Sequence, residues 1–255
     1  MDEIRIRECN SIEELDSCIR LQREVFGLPD LEISPRRHLV VSKQAGGWTL
    51  GAFTADNRLA GFVHHLIAVR EQNEIIGYSH MMAVEREFQN KGVGARLKWA
   101  QRERALNEGR RFIKWTWDPM QARNAHFNLN RLGVIVRNYA ENFYGTDYGN
   151  DLQKNPEIPG LDSDRLFARW ELSSVRVNAR EGSALVDSLP NPVQTIEIPA
   201  DWGGLVRQDP SAARSELSRV RSEFQKAFSS DLICAGFDRT TQRPQYLLYN
   251  EHQLT

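Results

Sequence analysis

Residues 75–107 constrain the fold more than any other stretch. An apolar run, "IIGYSHMMAV" (75–84), passes through "EREFQNK" into a helical pattern, with Gly92 and Gly94 one residue apart at the joint. A short apolar run bounded by turn signals reads as a strand, and Val93, Leu97 and Ala100 share one helical stripe. Gly109 is placed to end that helix in a left-handed cap. The chain then re-enters an apolar run, "RFIKWTWD" (111–118). A strand–helix–strand unit returns its second strand parallel. Just upstream, "WTLGAF" and "LAGFVHHLIAV" flank "ADN" (55–57), a hairpin signal that demands antiparallel pairing. The sheet is therefore mixed, and the fold class is α/β with a mixed α+β sheet.

The flanks add to this frame. "EIRIREC" (3–9) alternates as a half-buried strand, and "SIEE" (11–14) is a capping box opening a helix that carries Ile12, Leu15 and Ile19. Residues 27–47 read as loop, with Pro29, Pro35 and a Gly pair. Residues 121–133 read as a short helix stopped by Gly133, and 134–145 and 165–172 as strands. Residues 175–192 are polar and irregular and read as a connector, which divides the chain into 1–174 and 193–255. The second part predicts a small β-α-β-β subdomain. Its helix starts at Asp209-Pro210 and carries Ala213, Leu217, Val220, Phe224 and Ala227 at helical spacing. That stripe exceeds what so few strands cover, so it is expected to dock on the first domain or on a second subunit; a homodimer is one of the expectations.

The totals exclude several classes. With 255 residues, 40% hydrophobic, the chain can bury a proper core. A net charge of −1 gives no basic excess for nucleic acid, and no apolar run approaches the roughly 20 residues that span a bilayer. The charged start, "MDEIRIRECN", lacks a signal-peptide core, and Cys9, Cys18 and Cys234 lack metal-like spacing. The expectation is a cytoplasmic protein with reduced thiols and no metal.

A glycine-bearing turn between strand and helix suits an anion. Amides at a helix mouth are unpaired, and the helix dipole favours negative charge there. Gly92 and Gly94 let the backbone approach closely, successive amides from Lys91 to Ala95 can form a nest, and Lys91 adds a charge. A ligand-free tight turn is the plain alternative. The pattern is neither a G-x-x-x-x-G-K-[ST] loop nor a dinucleotide G-x-G-x-x-G, since Leu97 occupies the third glycine position.

"QNKGVG" (89–94) resembles the Q/R-x-x-G-x-G/A signature of the GNAT acetyltransferase superfamily, and "MMAV" resembles that family's ending to its fourth strand. "RNAHFNLNRLGV" (123–134) is similar to its N-x-x-A…Y-x-x-x-G segment through Asn124 and Gly133. The resemblance covers roughly residues 3–174. It implies a GNAT-like fold whose central strands splay apart around acetyl-CoA or another acyl-CoA, the co-substrate. The pantetheine would pair with the backbone of Met82, Ala83 and Val84. The diphosphate would sit on amides of Gln89, Asn90, Lys91, Gly92, Val93, Gly94 and Ala95, with Asn124 contributing beyond. The acyl group would pass directly to an amine.

An acylated amine must first lose a proton, and the departing thiolate gains from receiving one. Strict alternation puts Tyr78, His80, Met82 and Val84 on one face of the strand and Ser79, Met81 and Ala83 on the other. The resemblance implies a base near Tyr78 or His80. His80 is the candidate, acting directly or through water; a packed histidine without catalytic part is the other reading. At the family's usual acid, a tyrosine four residues before Gly133, this chain has Leu129. Tyr144 or Tyr139 is the substitute, or the thiolate leaves unaided, or the chain binds acyl-CoA or another ligand without catalysis. A weaker rival is a nucleotide-phosphate binder using the same turn. His64 and His65 read as structural, and Trp115 and Trp117 as sheet packing. An acidic stretch with Asp147, Asp151, Glu157, Asp162 and Asp164 against Lys154 could attract a cationic amine or be a solvated loop.

Overall fold

The computed structural model describes residues 3–28, 30–70, 73–147, 160–181, 189–240 and 242–254. The chain forms two compact units, Met1–Lys114 and Trp115–Thr255.

The first unit holds strands β1 (Arg5–Glu8), β2 (Trp48–Phe53), β3 (Leu59–Val69) and β4 (Ile75–Val84) in that spatial order, with the start of β5 (Phe112–Trp117) beside β4. β1 to β4 pair antiparallel, and β5 is parallel to β4, so the sheet is mixed as its sequence requires. Helix α1 (Ile12–Phe26) opens on the Ser11–Glu14 capping box and closes on Gly27 in the left-handed region at φ 63. The predicted loop at 27–47 is wrong in its second half. Arg36–Gln44 is a helix, α2, entered from Pro35 in extended conformation, and it buries Leu39 and Ser42. Proline at the helix mouth needs no N–H, and so starts α2 where it had suggested a loop. Helix α3 (Val93–Asn107) ends before Gly109, whose φ is 76.

Alternation in β2, together with a register shift at Ala60 in β3, divides this unit's core between the two sheet faces. Trp48, Leu50, Ala60 and Val63 pack with Val93 and Leu97 of α3, and Phe53, Leu59 and Phe62 pack with Leu15, Cys18, Leu21 and Leu39 of α1 and α2.

The second unit begins with α4 (Ala122–Ala125), which runs on into a π-helical turn, His126–Arg131. Gly133 follows at φ 75. Two short strands, β7 (Thr146–Asp147) and β8 (Leu161–Asp162), pair with each other. The main strands run in the order β9 (Arg165–Glu171), β6 (Ile135–Ala140), β11 (Ile233–Asp238), β12 (Gln245–Tyr249), β10 (Gln194–Glu197). The expected connector contains a short helix, α5 (Val175–Asn178), capped by Ser174. A second unforeseen helix, α6 (Trp202–Gln208), is capped by Asp201. Helix α7 (Pro210–Ser229) has Asp209 accepting from the Ala212 amide, and all five residues of its predicted stripe are buried. Phe224 lies 5.6 Å from the Tyr139 ring of β6 and 5.0 Å from the Tyr246 ring of β12. The stripe thus docks partly on a strand from the 1–174 segment. Cys9, Cys18 and Cys234 are buried free thiols.

Candidate active site

Strand β4 departs from ideal pairing at one residue. His64 faces Met81 and His65 faces Ser79, so His80 is the extra residue of a β-bulge. The predicted alternation is therefore wrong across residue 80. Ser79 accepts a 2.8 Å bond from Lys98 of α3, and Met82 and Val84 pack on that same α3 side. His80 reaches Ser34, on the side where Met81 and Ala83 meet the α1 cluster. The inserted residue flips the parity of everything before it.

On its other edge β4 pairs with β5 at Gly77↔Ile113 and Tyr78↔Lys114. β4 itself continues from Ser79 to Val84. Gly77 is required there, because a Cβ would lie 2.4 Å from the His65 ring.

After Val84 the chain makes a 3-10 turn, Arg86–Phe88, and Phe88 is buried as an anchor. The Gln89 side-chain Nε2 donates to the Val84 carbonyl at 2.8 Å, tying the loop to the strand end. That side chain is therefore a brace. Asn90 and Gly92 adopt positive φ, 61 and 81. The first bond onto α3 runs from the Arg96 amide to the Gly92 carbonyl at 3.0 Å, and no side chain caps the helix. The amides of Val93, Gly94 and Ala95 thus open the helix without an intrahelical acceptor. A Cβ on Gly94 would meet only Met82 Cε at 3.6 Å and Val84 Cγ2 at 3.8 Å. Protein packing does not demand glycine there, and the space it leaves lies between the helix mouth and the end of β4. Lys91 is exposed, its Nζ 5.7 Å from the Phe88 ring.

His80 is exposed, with Nε2 3.4 Å from Ser34 Oγ. Partial burial of the ring, then the His38 charge, lower its pKa below the ordinary imidazole value. His64 is buried and hydrogen-bonded by Thr49 and Ser42, and burial drives its pKa to about 3. His65 is buried, stacked at 4.1 Å on Trp48, with Nδ1 3.2 Å from the Gln101 amide. Burial and then Lys98 lower its pKa to about 3. Both are structural, as their sequence context suggests. Among the described residues no group of His, Cys, Asp or Glu is arranged to hold a metal.

Sequence reasoning missed the polar layer beneath β4. Lys98 is buried, with Nζ 2.8 Å from Ser79 Oγ and 3.0 Å from Gln101 Oε1, and burial lowers its pKa well below the usual lysine value. Nothing in the spacing marks it, because a lysine inside a helical stripe looks like the solvent face.

In the second unit, Asn124 is exposed in α4 and Leu129 is buried. Tyr144 is 60% exposed, and its hydroxyl lies 3.3 Å from Thr116 Oγ1. Tyr139 is unsuited to proton donation into a site. Its hydroxyl donates to buried Asp164 at 2.6 Å, and burial followed by that carboxylate raises its pKa. Burial also raises the pKa of Asp118, which accepts from the Met120 amide. Trp115 and Trp117 are buried, the former edge-on to Trp170. The acidic stretch is partly accounted for by one cation, since Arg221 binds Asp162 and both oxygens of Asp164. Asp151, Lys154 and Glu157 lie outside the described residues, as does the Asp147 side chain.

Residues 13–133 match the model of the acetyltransferase (GNAT) family. The ribosomal-protein-S18-alanine N-acetyltransferase of Escherichia coli is similar in fold, with a TM-score of 0.53 at 13% identity, over 68% of this chain and 96% of that one. An N-acetyltransferase from Staphylococcus aureus Mu50 gives 0.52 at 12%, over 67% and 99%. A chain of the NatC complex bound to Gag peptide and CoA gives 0.53 at 16%, over 67% and 99%. No curated protein sequence matches the chain.

Proposed function

We propose that this protein, whose residues 13–133 match the model of the GNAT acetyltransferase family, transfers an acyl group, in the first instance acetyl, from coenzyme A to an amine of a small molecule or peptide. The observation that carries the reading is the end of β4. β4 ends at Val84, and the short Arg86–Phe88 turn leads from it to a helix mouth whose first amides have no intrahelical acceptor.

In this reading the pantetheine lies along the backbone of Met82, Ala83 and Val84. The diphosphate takes amides between Gln89 and Ala95, with Lys91 adding charge. The His80 imidazole, in its neutral form, accepts a proton from the ammonium of the acceptor, directly or through one water. The freed nitrogen attacks the thioester carbon, and a backbone amide near Met82–Val84 steadies the oxyanion. The C–N bond forms, the nitrogen gives its second proton to water, the C–S bond breaks, and the thiolate takes a proton from water. Residues 1–174 form the transferase domain and 193–255 an extension to it. A cytoplasmic location, with or without homodimerisation, suits this role.

The test is thiol release from acetyl-CoA across a panel of amines, with CoA affinity by calorimetry alongside. Turnover of one amine, lost in His80→Gln together with the acid limb of the pH–rate profile, supports the reading. An unaltered profile in that variant removes His80 as base. Leu129 in place of the family's usual tyrosine favours a second reading, a non-catalytic acyl-CoA-binding module, which predicts CoA binding and no turnover of any amine.

A further inference from the structure

Three imidazoles meet on the α1–α2 face of the first unit. His38 of α2 lies 5.5 Å, ring centre to ring centre, from both His64 of β3 and His80 of β4, and His64 lies 6.1 Å from His80, all edge-on. Both ring nitrogens of His64 are engaged, Nδ1 with Thr49 Oγ1 at 2.8 Å and Nε2 with Ser42 Oγ at 3.1 Å. His38 has a buried Nε2 without a hydrogen-bond partner among the described residues. His80 has the Ser34 hydroxyl.

Ser34 is itself held. Gln22 is 2% exposed, accepts from the Ser34 amide at 2.9 Å, and donates to the Ser34 carbonyl at 3.3 Å. A buried glutamine that engages one backbone position with both its polar ends fixes that position firmly. The residue it fixes is the one whose side chain reaches His80.

We infer that Ser34 and His38 are positioning residues for His80: the Ser34 hydroxyl selects which ring nitrogen carries the proton, and His38 orients the ring and, when protonated, opposes a positive charge on His80. The inference rests on the proposal that His80 is the base. A neutral imidazole accepts a proton at one nitrogen only, so the tautomer decides whether the lone pair faces the acceptor. The ionisable side chains in ring contact with His80, among the described residues, are His38 from α2 and His64 from β3. Burial holds His64 neutral, which leaves His38 as the facing group whose charge acts on His80.

The readout is NMR of the full chain carrying 15N-labelled histidine, with His80→Gln assigning the resonance. In His38→Gln the His80 titration midpoint should move to higher pH. In Ser34→Ala its tautomer ratio should change, and Ser34→Thr should restore it. With acetyl-CoA and the fastest amine of the panel, Ser34→Ala should lower kcat about tenfold at unchanged KM for acetyl-CoA, as loss of one orienting hydrogen bond would. A midpoint and a tautomer ratio both unchanged overturn the inference; a change in one alone retains that residue and removes the other. Should either substitution unfold the unit, Ser34→Gly and His38→Asn carry the same test. If the NMR changes appear while His80→Gln keeps wild-type kinetics, the base assignment fails and the positioning stands.

Discussion

Replacing Gly94 by alanine separates what the fold needs from what a diphosphate needs. The new methyl would meet Met82 Cε at 3.6 Å and Val84 Cγ2 at 3.8 Å, ordinary van der Waals contacts. Gly94 is helical, second in α3, and glycine in a helix costs roughly 0.5–1 kcal/mol relative to alanine. The ligand-free variant should therefore be as stable as wild type or up to about 1 kcal/mol more so, a rise of at most about 4 °C for a chain this long. The same methyl fills the space between helix mouth and strand end that the proposal gives to the diphosphate. Losing one charge-assisted bond there, about 1.5–3 kcal/mol, lowers CoA affinity by about tenfold or more. Thermal unfolding without ligand and calorimetric titration with CoA read the two effects separately. Unchanged CoA affinity in a folded Gly94→Ala chain would refute the diphosphate assignment, and a fall of many degrees in the free protein would refute the packing argument.

Two further substitutions test the polar interior. Burial depresses the pKa of Lys98 in the fold, so the unfolded chain binds the extra proton between that depressed value and the ordinary one near 10.4. Across that window the stability of wild type relative to Lys98→Met should grow by about 1.4 kcal/mol per pH unit as pH rises; urea unfolding from neutral to pH 9.5 checks it, and a flat difference would mean that the buried amine is charged. Arg221→Met strands the buried Asp164 carboxylate, which Arg221 binds with Nε and Nη2, and should destabilise the chain by about 3–5 kcal/mol in urea unfolding; a loss under about 1 kcal/mol would show that Tyr139 and the Asn142 amide suffice to hold it.

Much of the fold is legible because its signals are local. The capping box at Ser11, Asn57 in the hairpin, the glycine stop at 109 and the Asp209-Pro210 start each fix backbone through neighbours a few residues away. Helix α2 escaped because of its weak pattern, in which Leu39 is its one buried large apolar side chain. The docking of α7 was legible as a need but not as an address. Its stripe shows that a partner surface exists, whereas Tyr139, supplied by a strand some 70 positions earlier, is a matter of topology.

The candidate site divides along the same line. The glycine turn is readable because positive φ at Gly92 and an uncapped helix mouth have compositional signatures. The environment of His80 is not, because it depends on a single inserted residue in the β3–β4 ladder. Without the bulge, His80 would share a face with Met82 and Val84 and look toward α3. With it, His80 faces Ser34 and His38, and Ser79 takes the place over Lys98. A period-2 argument has no way to see this, since the sequence "YSHMMAV" is equally apolar in either register. What decides between them is polar satisfaction at a distance. Lys98 needs the Ser79 hydroxyl, and Ser34 is already held by Gln22 where only a residue on the α1–α2 side can reach it. The register that places the proposed base is thus selected by hydrogen bonds on both faces of the sheet, and not by the strand that carries it.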